Sequence, residues 1–148
     1  MKTDKKYDAL KLENQMCFPL YAASREVIKQ YKPYLDKIDL TYTQYIAMLL
    51  LWENKTMMVK ELGECMYLDS GTLTPLLKKL ESKGLVSRVR SSEDERNLNI
   101  NVTEKGEKLK EQALEIPQCI LQGTKMSETE KEIFYAVLTK ILKKTDEL

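Results

Sequence analysis

The sequence has no histidine, and its three cysteines, Cys17, Cys65 and Cys119, lie far apart with no CxxC pair among its 148 residues. An odd, scattered set argues against a secreted disulfide framework, and without histidine partners it argues against a zinc site. Any chemistry these side chains do is thiol chemistry. No run approaches the ~18 apolar residues of a membrane-spanning helix. The first segment, MKTDKKYDALKLENQ, has charges but neither the apolar stretch nor the small-residue cleavage site of a secretory signal, so a cytoplasmic chain is expected. Charge of one sign is also lacking: 24 Lys and Arg against 23 Asp and Glu give +1, so any basic surface must be local. Neither an internal repeat nor a low-complexity linker is present.

A hydrophobic content of 43% and a charged content of 32% fit one compact domain with its own core, and the supply of Lys, Glu and Leu favours helix. From Leu10 to Tyr31 there is no glycine, and Leu12, Met16, Leu20, Ala23, Val27 and Tyr31 recur at helical spacing. Cys17, Tyr21, Ser24 and Ile28 form an adjacent stripe, which sets the thiol and the Tyr21 ring one turn apart in mid-helix. Pro19 is expected to kink this helix beside Cys17, and Pro33 to end it. Thr41 and Gln44 make a capping box for the helix TYTQYIAMLLLWEN, whose apolar wall from Ile46 to Trp52 implies burial on several sides.

After a polar turn, VKELGECMYL predicts a short helix and DSGTLTPLLKKLESKG a second. In the latter Leu73, Leu76, Leu77 and Leu80 form one buried stripe and Gly84 a C-terminal cap. Pro75 predicts an irregular first turn there. Leu85 to Arg90 and Asn97 to Val102 alternate as two strands around the charged turn SSEDER. Helix, helix, hairpin is the order of a winged helix. Thr103 starts another helix, which Pro117 bends or breaks, and Ser127 with Glu130 caps the last, with a broad apolar stripe from Ile133 to Leu142. Long apolar helices at both ends of a small chain suit a helical dimer interface. The expected fold is mainly α with a small β-hairpin wing. It is one domain over 1–148, with a winged helix-turn-helix at 56–102 and dimerisation helices at 8–40 and 103–148.

In a helix-turn-helix the second helix turns its N-terminal residues towards base edges in the major groove. Here that end offers Ser70, Thr72 and Thr74 as short donors and acceptors and Gly71 for close backbone approach, while Lys78 and Lys79 further along suit phosphates. The same pattern fits a solvated polar face. The hairpin favours duplex DNA, because Arg88 and Arg90 alternate onto one strand face, and Asp94 can hold Arg96 extended for a minor groove.

The segment KELGECMYLDSGTLTPLLKKLESKGLVSRVRSSEDERNLNINVTEKG resembles the signature of MarR-type winged-helix regulators, and LKLENQMCFPLYAASREVIKQYKPYLDKIDLTYTQY resembles the N-terminal part of their organic-hydroperoxide branch, the OhrR-like repressors. The resemblance implies a homodimer with two recognition helices about one DNA turn, roughly 34 to 36 Å, apart on a palindromic operator. It assigns Asp69, Ser70, Thr72 and Lys78 to the recognition helix and Asp94 and Arg96 to the wing. It also implies that Cys17 is the thiol oxidised by organic hydroperoxides, with tyrosines of the partner subunit matching Tyr31 and Tyr42 donating to its sulfur; Tyr21 is a further candidate. Mid-helix, Cys17 draws little from the helix dipole, which leaves this task to the phenols. Cys119 matches the region of the resolving cysteine in two-cysteine members, and a core cysteine on an apolar stripe is the alternative for it. Cys65 has no assigned role, and Pro19 departs from the family pattern. No metal, cofactor, membrane or catalytic turnover is expected. Two other readings stay open: a repressor answering a small aromatic ligand, and a thiol peroxidase using Cys17, against which the lack of histidine and CxxC counts.

Overall fold

The computed structural model describes residues 5–90 and 98–145. These fall into two compact units divided between Leu114 and Glu115. The first contains α1 (Cys17–Leu35), α2 (Tyr42–Asn54), β1 (Thr56–Met58), α3 (Val59–Met66), α4 (Ser70–Ser82), β2 (Val86–Arg90), β3 (Leu98–Val102) and α5 (Glu104–Ala113). The second contains α6 (Ile116–Gly123) and α7 (Glu128–Thr145).

The three strands form one antiparallel sheet in the order β1-β3-β2, with Met57 opposite Ile100 and Arg88 opposite Ile100 on the other side. The expected hairpin therefore gains a third strand. Thr56–Met58 is too short for an alternating pattern to show, yet it buries Met57 against the fully buried Ile100. The core is the meeting of α2 (Tyr45, Ala47, Met48, Leu51, Trp52), Leu62 of α3 and the α4 stripe Leu73, Leu76, Leu77 and Leu80. Each such side chain contributes about 1.5–3 kcal/mol by leaving water. Gly84 ends α4 at φ 73, with Leu85 N–H donating to Leu80 O at 3.1 Å and Gly84 N–H to Glu81 O at 2.8 Å, a Schellman turn that delivers the chain into β2. The three expected N-caps form: Thr41 with Gln44, Thr103 with Gly106 N–H, and Ser127 with Glu130.

Three expectations about proline are corrected. The first amphipathic helix begins at Cys17, not Leu10, because the preceding backbone is drawn into short 3-10 turns at Lys5–Leu10 and Leu12–Asn14. Side-chain amides compete for its carbonyls: Asn14 Nδ2 donates to Asp8 O, and Gln15 Nε2 to Ala9 O, both at 2.6 Å. Pro19 is thus the third residue of α1, where an N–H has no intrahelical acceptor, and it costs the helix nothing. Pro33 does not end α1, which continues to Leu35; the Lys29 carbonyl that Pro33 cannot serve lies on an exposed stretch open to water. Likewise α4 runs unbroken from Ser70 through Pro75 in place of the expected irregular turn, and the carbonyl left over belongs to exposed Gly71.

Pro117 interrupts as expected: α5 ends at Ala113 and the proline sits in the first turn of α6. Ile116 and Ile120 are buried, whereas α7 leaves Ile133, Phe134, Tyr135, Val137 and Ile141 exposed. On α1 only Leu35 is buried, and Phe18, Leu20, Tyr21, Val27 and Ile28 are exposed.

Candidate nucleic-acid interface and thiol site

Between α3 and α4 the chain reverses through Tyr67, which adopts the left-handed φ of 54, and Leu68 N–H donates back to Gly63 O at 3.0 Å. Asp69 then caps α4, its carboxylate accepting from Thr72 N–H at 2.9 Å and from the Thr72 hydroxyl at 3.2 Å. Those two bonds, the backbone one first, hold the Asp69 carboxyl below the usual carboxylate range. With the leucine stripe inward, Ser70, Gly71, Thr72, Thr74, Lys78 and Lys79 are all exposed. The polar side of this helix is therefore open to solvent, with Asp69 and Thr72 engaged with each other.

The wing arginines divide. Arg90 is exposed at the end of β2. Arg88 is half-buried, its Nε donating to Glu81 Oε2 at 2.7 Å and its backbone N–H to Glu81 Oε1 at 3.3 Å. Glu81 escaped sequence reasoning because the pairing spans the α4–β2 turn, where neither helical nor strand periodicity applies. Asp94 and Arg96 lie outside the described residues. Tyr67, 56% exposed beside the start of α4, was also passed over; a non-glycine residue at positive φ leaves no sequence signal.

Cys17 is the first residue of α1 and is exposed. It thus stands at the positive end of the helix dipole, which corrects its expected mid-helix position. Tyr21 follows one turn later, but its hydroxyl accepts from Arg25 Nη1 at 3.2 Å and the guanidinium lies 5.6 Å from its ring centre. Tyr31 and Tyr42 come together edge to face at 4.9 Å, with the buried Tyr45 at 6.0 Å from Tyr31. Burial pushes both phenols up, and Tyr42 adds to the effect on Tyr31. Along α1 the fourteen residues from Cys17 to Tyr31 span about 21 Å at 1.5 Å each. Within one chain the thiol and this tyrosine pair do not meet.

A cleft of about 300 Å³ opens beside Tyr42, walled by Ile28, Leu35 and Leu40, with Lys29 and Lys32 at its edge. Both ammonium groups are already paired, with Glu26 at 2.5 Å and Asp36 at 2.8 Å. Cys119 is half-buried on α6, and Cys65 is exposed on α3. Among the described residues no cluster of His, Cys, Asp or Glu could hold a metal ion, and no helix is long and apolar enough to cross a membrane.

A helix pair with a polar outward second helix, followed by a small antiparallel sheet, defines a winged helix-turn-helix protein of MarR-like build. The chain belongs to the transcriptional regulators described as SarA/Rot, matched over residues 29–113. It is 59% identical over 124 residues to the organic hydroperoxide resistance transcriptional regulator of Bacillus subtilis, covering 84% of each chain. Among solved structures it resembles reduced AbfR bound to DNA at 34% identity and TM-score 0.76, covering 95% of this chain and 98% of that one. Disulfide-formed AbfR matches at 32% identity and TM-score 0.59, over 96% and 94%; the solved AbfR comes from Staphylococcus epidermidis.

Proposed function

We propose that this chain is a cytoplasmic DNA-binding repressor, active as a homodimer, that releases a palindromic operator when an organic hydroperoxide oxidises Cys17. The observation that carries the reading is the exposed polar face of α4, from Ser70 to Lys78, set on a fully buried leucine stripe. Ser70, Gly71 and Thr74 reach base edges, Asp69 and Thr72 fix the start of the helix, and Lys78 and Arg90 meet phosphates. Asp94 and Arg96 remain the sequence candidates for the wing tip. Residues 56–102 form the reading head in this account, and 8–40 with 103–148 the dimerisation helices. The exposed apolar faces of α1 and α7 support that assignment, since surfaces of this kind mark interaction sites.

The thiol chemistry balances with the oxidant alone. The Cys17 thiolate attacks the distal oxygen of ROOH, the O–O bond breaks, and Cys17 sulfenic acid forms as ROH leaves with a proton from water. The partner subunit's Cys119 thiol then displaces hydroxide from that sulfur, giving an intersubunit disulfide and water. The ~21 Å between Cys17 and Tyr31 in one chain means that Tyr31 and Tyr42 can serve the sulfur only from the partner subunit. Tyr21 is the donor within reach on the same helix once it leaves Arg25. One disulfide forms per oxidant consumed, the stoichiometry of a switch that a thiol must reset before it responds again. Two relatives support the reading: the Bacillus subtilis regulator is named for organic hydroperoxide resistance, and AbfR is solved both reduced on DNA and with a disulfide formed.

The test is a band-shift titration on duplex DNA enriched from a random library by the reduced protein. Treatment with cumene hydroperoxide should weaken binding about a hundredfold, or 2.7 kcal/mol, and dithiothreitol should restore it. Equal affinity before and after oxidation would refute the redox switch, and failure to enrich any duplex would refute DNA binding.

A further inference from the structure

We infer that Arg88 is a positioning residue that acts through Glu81 to lock the wing onto the recognition helix, and not a contact to the DNA backbone. This deepens the DNA-binding reading and rests on it. One carboxylate takes two donors seven residues away: the Arg88 side chain at 2.7 Å and the Arg88 backbone N–H at 3.3 Å. The first bond fixes the guanidinium. The second fixes the strand itself, because that N–H belongs to β2. Glu81 sits in the last turn of α4, and the side chains of the pair are 36% and 27% exposed, so water competes less than at an open ion pair. The Schellman turn between them is held by Leu85 N–H to Leu80 O at 3.1 Å. The end of α4 is thus tied to β2 through both the side chain and the backbone of Arg88, with the exposed Arg90 two residues further along the same strand face. Strand alternation puts Arg88 and Arg90 on one face, yet Arg90 is exposed while Arg88 is half-buried against Glu81.

The charges give the inference a sign that a phosphate contact cannot mimic. Glu81→Gln removes a negative charge from the DNA-facing head, which by simple electrostatics tightens binding. If Glu81 positions the wing, the substitution instead weakens it. The measurement is operator affinity of the reduced dimer as a function of salt for the parent, Glu81→Gln, Arg88→Gln and the double variant. The duplex is the one enriched by the parent, active protein is titrated at stoichiometric DNA, and thermal unfolding is recorded in parallel. Both single variants are expected to lose about tenfold in affinity, the double variant no more than either, and the slope of log affinity against log salt to match the parent. A merely stabilising pair would lower the unfolding temperature and leave the affinity of the active fraction unchanged. Tighter binding by Glu81→Gln, additive losses, or parental affinity in both singles would overturn the inference. So would a slope reduced by about 0.9 per arginine, or 1.8 per dimer, in Arg88→Gln, which marks a lost phosphate contact. A parent whose affinity has no salt dependence would instead count against the DNA-binding reading itself.

Discussion

Gly106 in the first turn of α5 is where added volume should do the most damage. A Cβ built there would stand 2.2 Å from Leu85 O and 2.8 Å from Val102 Cγ2, far inside contact distance. Neither neighbour is free to yield. Leu85 O accepts from Thr103 N–H at 3.0 Å, and Gly106 N–H and C=O are both engaged, with the Thr103 hydroxyl at 3.1 Å and with Trp52 Nε1 at 2.8 Å in the core. Gly106→Ala must therefore push α5 off the β2 edge. Overpacking of this kind costs about 1–3 kcal/mol, and stretching the buried indole bond adds about 1–3 more, so the expected loss is roughly 2–6 kcal/mol. Trp52 is the sole tryptophan and reports the transition directly. In urea unfolding followed by its fluorescence at fixed protein concentration, the midpoint should fall by about 1–3 M, given a slope of ~2 kcal/mol per M. A midpoint within ~0.3 M of the parent at the same slope would refute this account of how α5 is seated.

Asp69→Ala removes the cap of α4. Because Thr72 holds that carboxyl low, the stabilisation is complete above the ordinary carboxyl value near ~4 and fades as pH falls through the lower folded value. The unfolding midpoint of the parent should thus drop more steeply below that pH than the variant's, and parallel profiles would contradict the cap. Tyr67→Gly replaces an exposed side chain at positive φ with the residue that suits it, and stability should rise by about 0.5–1 kcal/mol in the same urea assay; a lowered midpoint would show that the ring packs more than its exposure suggests. After hydroperoxide treatment, non-reducing electrophoresis should give a dimer-sized band for the parent and Cys65→Ser, and none for Cys17→Ser or Cys119→Ser. A band surviving in Cys119→Ser would remove Cys119 from the scheme.

Where side-chain period and burial coincide, the fold was readable in the sequence. Leu73, Leu76, Leu77 and Leu80 repeat at helical spacing and all four are buried, and Thr41 with Gln44 and Ser127 with Glu130 carry their capping partners within one turn. The start of α1 was not readable, because Leu12 and Met16 continue the apolar period of the helix while Asn14 and Gln15 side chains turn the backbone away from it. Pro33 and Pro75 misled for the opposite reason: each leaves a carbonyl on an exposed stretch, where water replaces the lost bond. The polar face of the recognition helix was legible, but the division between Arg88 and Arg90 was not, since it depends on Glu81 across a turn. Tyr31 and Tyr42 were named by resemblance alone. Their edge-to-face contact arises from the way α1 and α2 pack, which no local spacing encodes.

In the proposed switch, oxidation of one thiol at the head of α1 controls DNA affinity. Fluorescence anisotropy of labelled operator duplex, with parent and Cys17→Ser dimers each given one equivalent of cumene hydroperoxide per thiol, tests it most directly. Both proteins should bind equally when reduced; after oxidant the parent should bind about a hundredfold more weakly, equivalent to about 2.7 kcal/mol, and Cys17→Ser should stay bound. Release of the DNA by oxidised Cys17→Ser would contradict the switch.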